Sequence, residues 1–394
     1  MAITCSDDFL KAMNASVKFV FIKIEIYDSQ MNFIKELTKD VTREDIGSIS
    51  VDASRPIRRS FSFSLKNLNN EYDWSDSSLF WLDKRIKLFI GLKLPNGTIE
   101  YIPQGVFILT EPSDSHTLDG KIATIQGQDK AYMLTDRRGK FINTTTIETG
   151  ANIAQAIKTI AGGAGETLFN FDPVTEVVPY ELVYEAGTSR WEAISELAIL
   201  AKCTIYYDVY GYLRLRNIDL NEFSTFPTVW NFTYDQKDRF YAGNTRKLED
   251  TICNRVIVLG GSGQTATQRY ELVITDSDPR WTGSPYTIEK IGDILYYHND
   301  GNPDPLLGGT DNGPVFWRAK YEMMKRLSFT EKLSLTSAPL YILDAYDIIG
   351  VEDQSNSVTG KYLIQSFSLP ITPQLMNFDC IKYNKVLNDW NFVS

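Results

Sequence analysis

The stretch RRSFSFSLKN, residues 58–67, constrains the fold more than any other part of the chain. Phe61, Phe63 and Leu65 fall on one side of it, and Ser60, Ser62, Ser64 and Lys66 on the other. A period of two is the repeat of an extended strand with one dry face and one wet face, the pattern of antiparallel sheets. VKFVFIKIEIY repeats it, with Val20, Ile22, Ile24 and Ile26 opposed to Lys23 and Glu25. RIKLFIGLKL, GVFILTEP and KIATIQGQD add three more strands, parted by turn residues at Pro95–Asn96–Gly97 and Asp119–Gly120. Many short strands in one stretch predict a small barrel or sandwich ending near residue 135.

The texture then changes. In ANIAQAIKTIAGGAG, Ile153, Ile157 and Ile160 recur at helical spacing, and Gly162 stands where a helix would stop. SRWEAISELAILAKC opens with Ser189 and Glu192 at the spacing of a capping box, followed by a stripe of Trp191, Ile194, Leu197, Ala198 and Ala201. TIYYDVYGYLRLR then gives two strand-like runs around Gly211, so a compact α+β module is expected over about residues 140–220.

The chain afterwards returns to strands: ICNRVIVLGG, YELVIT, EKLSLTSAPL, YDIIGVED, GKYLIQSFSL and MNFDCIKYNKV. One helix interrupts them, with Pro314 in its first turn and Phe316, Ala319, Met323 and Leu327 on one face. The polar loop HNDGNPDPLLGGTDNG precedes it. The predicted fold class is β-rich α+β, with two small β modules around a central α+β module. The expected boundaries are 1–138 for the first β domain and 139–222 for the α+β domain. The second β domain takes 223–275 and 329–394, with an insertion at 276–328.

A chain of 394 residues, 43% of them hydrophobic, can bury a sizeable core. Its net charge of −10 argues against a general or sequence-specific nucleic-acid binder, which needs a basic face. No run of about 18 apolar residues is present to span a bilayer. MAITCSDDFLKAM has neither a basic leader nor a long apolar segment, so synthesis and assembly in the cytoplasm are expected. Cys5, Cys203, Cys253 and Cys380 are scattered, which disfavours zinc and redox sites and predicts reduced thiols. With only His116 and His298, histidine-dependent catalysis is hard to build.

Each motif of chemical interest has a plainer structural reading. NRVIVLGGSGQT (254–265) has the look of a strand entering a phosphate loop. A loop of that kind needs Lys followed by Ser or Thr, and Gln264–Thr265–Ala266–Thr267 supplies neither in that order. A dinucleotide fingerprint runs into a helix, whereas YELVIT is strand-like. The stretch is therefore expected to be a strand, with Val256 and Val258 on one face and Ile257 and Leu259 on the other, released into a loop by its glycines. AGGAG (161–165) follows a helix instead of opening one. Asn299, Asp300, Asn302 and Asp304 offer oxygens for calcium, but no Glu stands at the bidentate position. The basic clusters RPIRR (55–59) and DRRGK (136–140) are expected to protect strand edges or to touch phosphate or an acidic partner surface. Neither a Gly-x-Ser-x-Gly elbow nor a His-Glu-x-x-His helix occurs, and nothing singles out a carboxylate pair. No catalytic, cofactor-binding or metal-binding residue is nominated, and the chain is not expected to be an enzyme.

An ordered set of segments resembles a known family. GVFILTEP leads to ATIQGQDKAYMLTD; GTSRWEAISELAILAKCTIYYDVYGYLRLR, DTICNRVIVLGG, SPYTIEKIG, APLYILDAYDIIGVED and GKYLIQSFSLPITP follow. Together they resemble the baseplate hub proteins of tailed bacteriophages, related to the N-terminal hub part of tail-associated proteins in phages of Gram-positive hosts. The resemblance implies two tube-like β-barrel domains per chain, with NRVIVLGG an interior strand of the second. It also implies a homotrimeric ring of six barrels in the virion, capping the tail tube and seating the spike or tail fibre protein. The expected partners are the tail tube or distal tail protein, the spike or fibre protein and the tape measure protein. The α+β module is expected to lie peripherally. Because the sequence stops soon after DCIKYNKVLNDWNFVS, a lytic or receptor-binding role is expected on another polypeptide. Two other classes stay open, a tail-associated cell-wall hydrolase and a carbohydrate-binding tail adhesin.

Overall fold

A computed structural model describes residues 3–37, 47–67, 70–75, 79–117, 120–135, 138–217, 225–234, 240–248, 251–261, 268–304, 307, 313–371 and 374–383. Helix α1 (Asp7–Asn14) precedes β1 (Val20–Tyr27), β2 (Phe33–Glu36), β3 (Ser48–Asp52), β4 (Arg59–Lys66), β5 (Arg85–Lys93), β6 (Ile99–Leu109), β7 (Ser113–Thr117) and β8 (Gly120–Asp129). The middle of the chain forms β9 (Thr145–Ile147), α2 (Ile153–Gly162), β10 (Phe169–Phe171), β11 (Leu182–Tyr184), α3 (Arg190–Leu200), β12 (Cys203–Tyr207) and β13 (Leu213–Asn217). Next come β14 (Trp230–Thr233), β15 (Tyr241–Leu248), β16 (Arg255–Gly260), β17 (Gln268–Val273), α4 (Ile288–Ile291) and β18 (Leu295–Tyr297). Helix α5 (Gly313–Ser328) leads to β19 (Glu331–Ser337), β20 (Ile348–Asp353), β21 (Val358–Pro370) and β22 (Met376–Lys382).

The alternation read in β4 is realised: Phe61, Phe63 and Leu65 are buried, and Phe61 meets Phe107 edge to face at 4.8 Å between centroids. Burying each such side chain is worth about 1.5–3 kcal/mol, which is what fixes the register of the pairing. The sheet that results runs β15-β19-β22-β21-β3-β4-β8-β6-β5-β1-β2, with β20 and β14 added at β21 and β7 at β8. Strands from the two ends of the sequence thus share one sheet. The link is β21, which pairs with β20 and β22 and, beyond a bulge between Ile364 and Ser366, with β3. One hydrophobic core follows the sheet across this join, holding Ile24, Phe63 and Leu88 together with Phe232, Leu335 and Phe378. Among the described residues the pairing path stays open at β2 and β15 and does not close on itself.

The α+β module has its own core. The hairpin β12–β13 turns at Gly211, β10 adds parallel to β13, and α3 packs on the hairpin through Trp191, Ile194, Leu197 and Ala198. Asn152 caps α2, accepting from the Gln155 N–H at 3.0 Å. The capping box expected at α3 does not form. The Ser189 hydroxyl turns away from the helix and donates to the Leu134 carbonyl at 3.0 Å, which also accepts from the Trp191 N–H at 2.8 Å.

NRVIVLGG is an interior strand, but of a different sheet from the one expected. As β16 it lies between β17 and β18 in a separate three-stranded sheet, outside the large one. Val256 and Val258 face α5, packing with Val315, Ala319, Met323 and Leu327, while Ile257 is buried on the opposite face. A strand apolar on both faces needs cover on both, and α5 supplies one side of it.

Candidate functional site in the module seams and sheet edges

Buried charge gathers where modules meet. Period two puts Arg59 on the same face of β4 as Phe61 and Phe63, so its guanidinium points into the protein. There it pairs with Asp344 and donates from Nη1 to the Gln104 carbonyl at 3.4 Å. Asp344 sits in the segment Leu340–Ala345, buried almost throughout and joining β19 to β20. The Gln104 side-chain amide donates to the Tyr341 carbonyl at 3.0 Å, and the Ile3 N–H to the Ile342 carbonyl at 2.9 Å. The Asp129 carboxylate accepts from the N–H groups of Arg59 at 2.8 Å and Ala131 at 2.9 Å. Burial nevertheless pushes the Asp129 carboxyl up to about 6, outweighing those two bonds.

Arg58 is buried as well. Its guanidinium lies 3.9 Å from the Tyr206 ring centroid and 4.6 Å from that of Tyr346, tying the α+β module to the loop before β20. The reading of RPIRR as edge protection or a phosphate contact is therefore corrected for both residues. Arg55 alone of its arginines stays on the surface, 3.0 Å from Asp52. In DRRGK, Asp136 and Arg137 lie outside the described residues, and Arg138 is exposed, donating to the Leu82 carbonyl at 3.4 Å.

Two further seams use the same device. Lys130 donates to Glu166 at 2.8 Å and to the Gly211 carbonyl at 3.0 Å, and the Tyr207 hydroxyl donates to Glu166 at 2.7 Å. This ties the end of β8 to the α+β module; burial draws the Lys130 ammonium down, against the pull of Glu166. Arg318 of α5 pairs with Glu196 of α3, joining the insertion to the α+β module. Burial opposes that charge, but Glu196, Glu322 and Asp304 outweigh it and raise the guanidinium. Buried pairs contribute little net stability while penalising any arrangement that parts them, so they hold modules in register. Sequence reasoning missed all three pairs. The one local signal was a charged residue on an otherwise apolar strand face or helix stripe, as at Arg59 and Glu196.

The glycine cluster packs against protein. A Cβ on Gly260 would stand 2.4 Å from the Leu307 carbonyl oxygen and 2.7 Å from Val315 Cγ1. Gly261, with φ +149°, donates to the Asp304 carbonyl at 3.1 Å, and residues 262–267 lie outside the described residues. Asn254 is wholly buried; its amide donates to the Gly292 carbonyl at 2.7 Å and accepts from the Ile294 N–H at 2.7 Å.

Of the calcium candidates, Asp304 is 2.8 Å from His298 Nε2, while Asn299 and Asn302 bond to each other's carbonyls. Among the described residues no group of three His, Cys, Asp or Glu side chains is placed to hold a metal, and no helix is long and apolar enough to cross a membrane. All four cysteines are free thiols. The sheet ends are left open. Among the described residues β2 pairs only with β1, and β15 only with β19. Phe33 and Ile34 are exposed on β2, and Leu248 on β15.

No family model matches the chain, and no curated protein matches it in sequence. Solved structures do. A tail protein from Neisseria meningitidis is similar over 92% of this chain and 97% of its own, at 12% identity and a TM-score of 0.62. A 43 kDa tail protein of prophage MuSo2 from Shewanella oneidensis covers 92% and 98%, at 10% identity and a TM-score of 0.62. A prophage tail protein, gp18, from Listeria monocytogenes covers 92% and 95%, at 12% identity and a TM-score of 0.53. The protein therefore has, over about nine-tenths of the chain, a fold found in phage tail proteins.

Proposed function

We propose that the protein is a structural hub of a phage tail baseplate. Three copies close into a ring that caps the tail tube and seats the spike or fibre complex, and the work is done by interfaces with no bond made or broken. The observation that carries this reading is the similarity in fold to phage tail proteins along nearly the full length of both chains. The open edges support it. A strand paired on one side only among the described residues, and carrying exposed Phe33 and Ile34, is an aggregation hazard in a monomer and a joint in a ring. Each copy supplies two tube-like β modules, so three copies present six to the tube above. Tube or distal tail protein, tape measure protein and spike or fibre protein are its neighbours in the particle.

Imaging tail particles at a resolution that counts subunits tests this. Three copies around the tail axis are expected; one copy, or six, overturns the ring. Incubation of the full chain with host cell walls separates this reading from a hydrolase, which would release soluble fragments.

A further inference from the structure

The outward face of β1, β5 and β6 differs from the rest of this acidic surface. Odd-numbered residues of β1 turn away from the core, and cross-strand pairing sets Lys23 beside Phe89 and Phe21 opposite Gly91 and Tyr101. The Lys23 ammonium lies 4.3 Å from the Phe89 centroid and 5.3 Å from that of Tyr101, and Lys93 lies 5.8 Å from the Phe19 ring. Phe19, at 59%, and Ile99, at 38%, are exposed at the end of this ladder. Lys23 is paired with Glu25 at 2.8 Å, and Lys87 and Lys93 add two further cations, so this aromatic face carries net positive charge.

A second surface has the opposite character. Every residue from Glu289 to Leu295 is exposed, and Ile291, Ile294, Leu295 and Tyr297 stand out among them. Strand β18 pairs with β16 on one side only among the described residues. Glu289, Asp293 and Asp300 rim this apolar patch. Arg255 is paired with Asp293 and Glu271, and Lys290 lies 3.6 Å from Asp276, so acids outnumber cations around the patch.

We propose that the aromatic–lysine face of one copy docks on the Ile291–Tyr297 patch of the next. Complementary charge selects this occupant, since either patch set against its own copy would oppose like charges over an apolar surface. Two different patches in contact make a heterologous joint, which repeats until it closes as a ring. The inference rests on the ring reading above and names one of its contacts.

The test uses the full chain, in sedimentation and native mass measurements over a range of concentration. Phe19→Asp and Leu295→Asp should each weaken self-association by about tenfold or more, because each inserts a charge into an apolar contact. Mixed together, the two variants still own one intact patch each, so they should form a one-to-one dimer and no ring. Thermal unfolding of each variant alone shows that it is folded, and Phe19→Ser and Leu295→Ser replace any that is not. Variants that close rings with wild-type affinity overturn this contact and leave the ring reading standing. A wild-type chain that stays monomeric throughout, and in tail particles, overturns both.

Discussion

Arg59 and Asp344 are 285 residues apart in the chain and form a buried ion pair, with the Arg59 side chain 1% exposed. The pair ties β4 to the segment between β19 and β20, beside the core that strands from both ends of the sequence share.

Removing one partner strands the other charge in an apolar interior. Arg59→Ala should lower stability by about 3–5 kcal/mol, whereas the double change Arg59→Met with Asp344→Leu should recover most of that loss. Denaturant unfolding of the three proteins measures both effects. Equal loss in the single and the double variant would show that packing, not the stranded charge, sets the cost.

Asp129 gives the protein an unusual pH response. Its carboxyl titrates near 6 when folded, against 3.8 for an ordinary aspartate, so between those values the folded protein holds a proton that the unfolded chain has released. Stability from this group therefore rises as pH falls from about 7 to about 4, by roughly 3 kcal/mol for a shift of about two pH units. Asp129→Asn should abolish that contribution. The free-energy gap between wild type and variant, followed by urea unfolding at several pH values, should move in favour of the wild type on acidification; a constant gap would contradict the assignment.

Gly260 has no room for a methyl group between Leu307 and Val315. Gly260→Ala should cost about 1–3 kcal/mol through overpacking, and Gly261→Ala about 1 kcal/mol through its positive φ. Calorimetry with ATP, GTP and NAD, with and without magnesium, should show no binding to wild type or variants. Micromolar affinity lost on substitution would restore the phosphate-loop reading of NRVIVLGGSGQT.

Trp191 is buried on α3 in the core of the α+β module, which also takes in Ala131 and Leu134. Trp191→Ala should cost about 3–5 kcal/mol of stability in that module. At a temperature where the variant stays folded, ring formation should be unchanged, since the α+β module is proposed to lie at the periphery. A variant as stable as wild type but unable to assemble would make Trp191 an interface residue.

Strand existence and facing were legible wherever a single sheet face is buried. Phe61, Phe63 and Leu65 declared β4 because alternation and burial are the same constraint there. The helix stripe at Trp191, Ile194 and Leu197 was equally direct. Pairing between distant strands was not legible, because nothing local in SFSLP of β21 names SISVD of β3 as its partner. Sheet membership failed for the same reason at β16, whose two apolar faces suit any covered strand. RPIRR misled because composition was weighed over phase: Arg59 is in step with Phe61, which already placed it inside. Ser189 and Glu192 had the spacing of a cap, but a tertiary acceptor at Leu134 outcompeted the helix end. The aromatic–lysine face was present as odd-numbered residues of β1, yet its partner strands had to be known before it became a surface.

The bulge after Ile364 gives β21 a role in timing. Strand β3 receives β4 from its own half of the chain, but its other edge is covered only by residues 366–370. During synthesis that edge stays open until residues 366–370 have left the ribosome. A chain cut short before β21 would carry an extra adhesive edge and lack the strand that joins its two halves. Only a chain that has added β21 covers this edge of β3, so defective subunits are sorted from sound ones by which edges they offer.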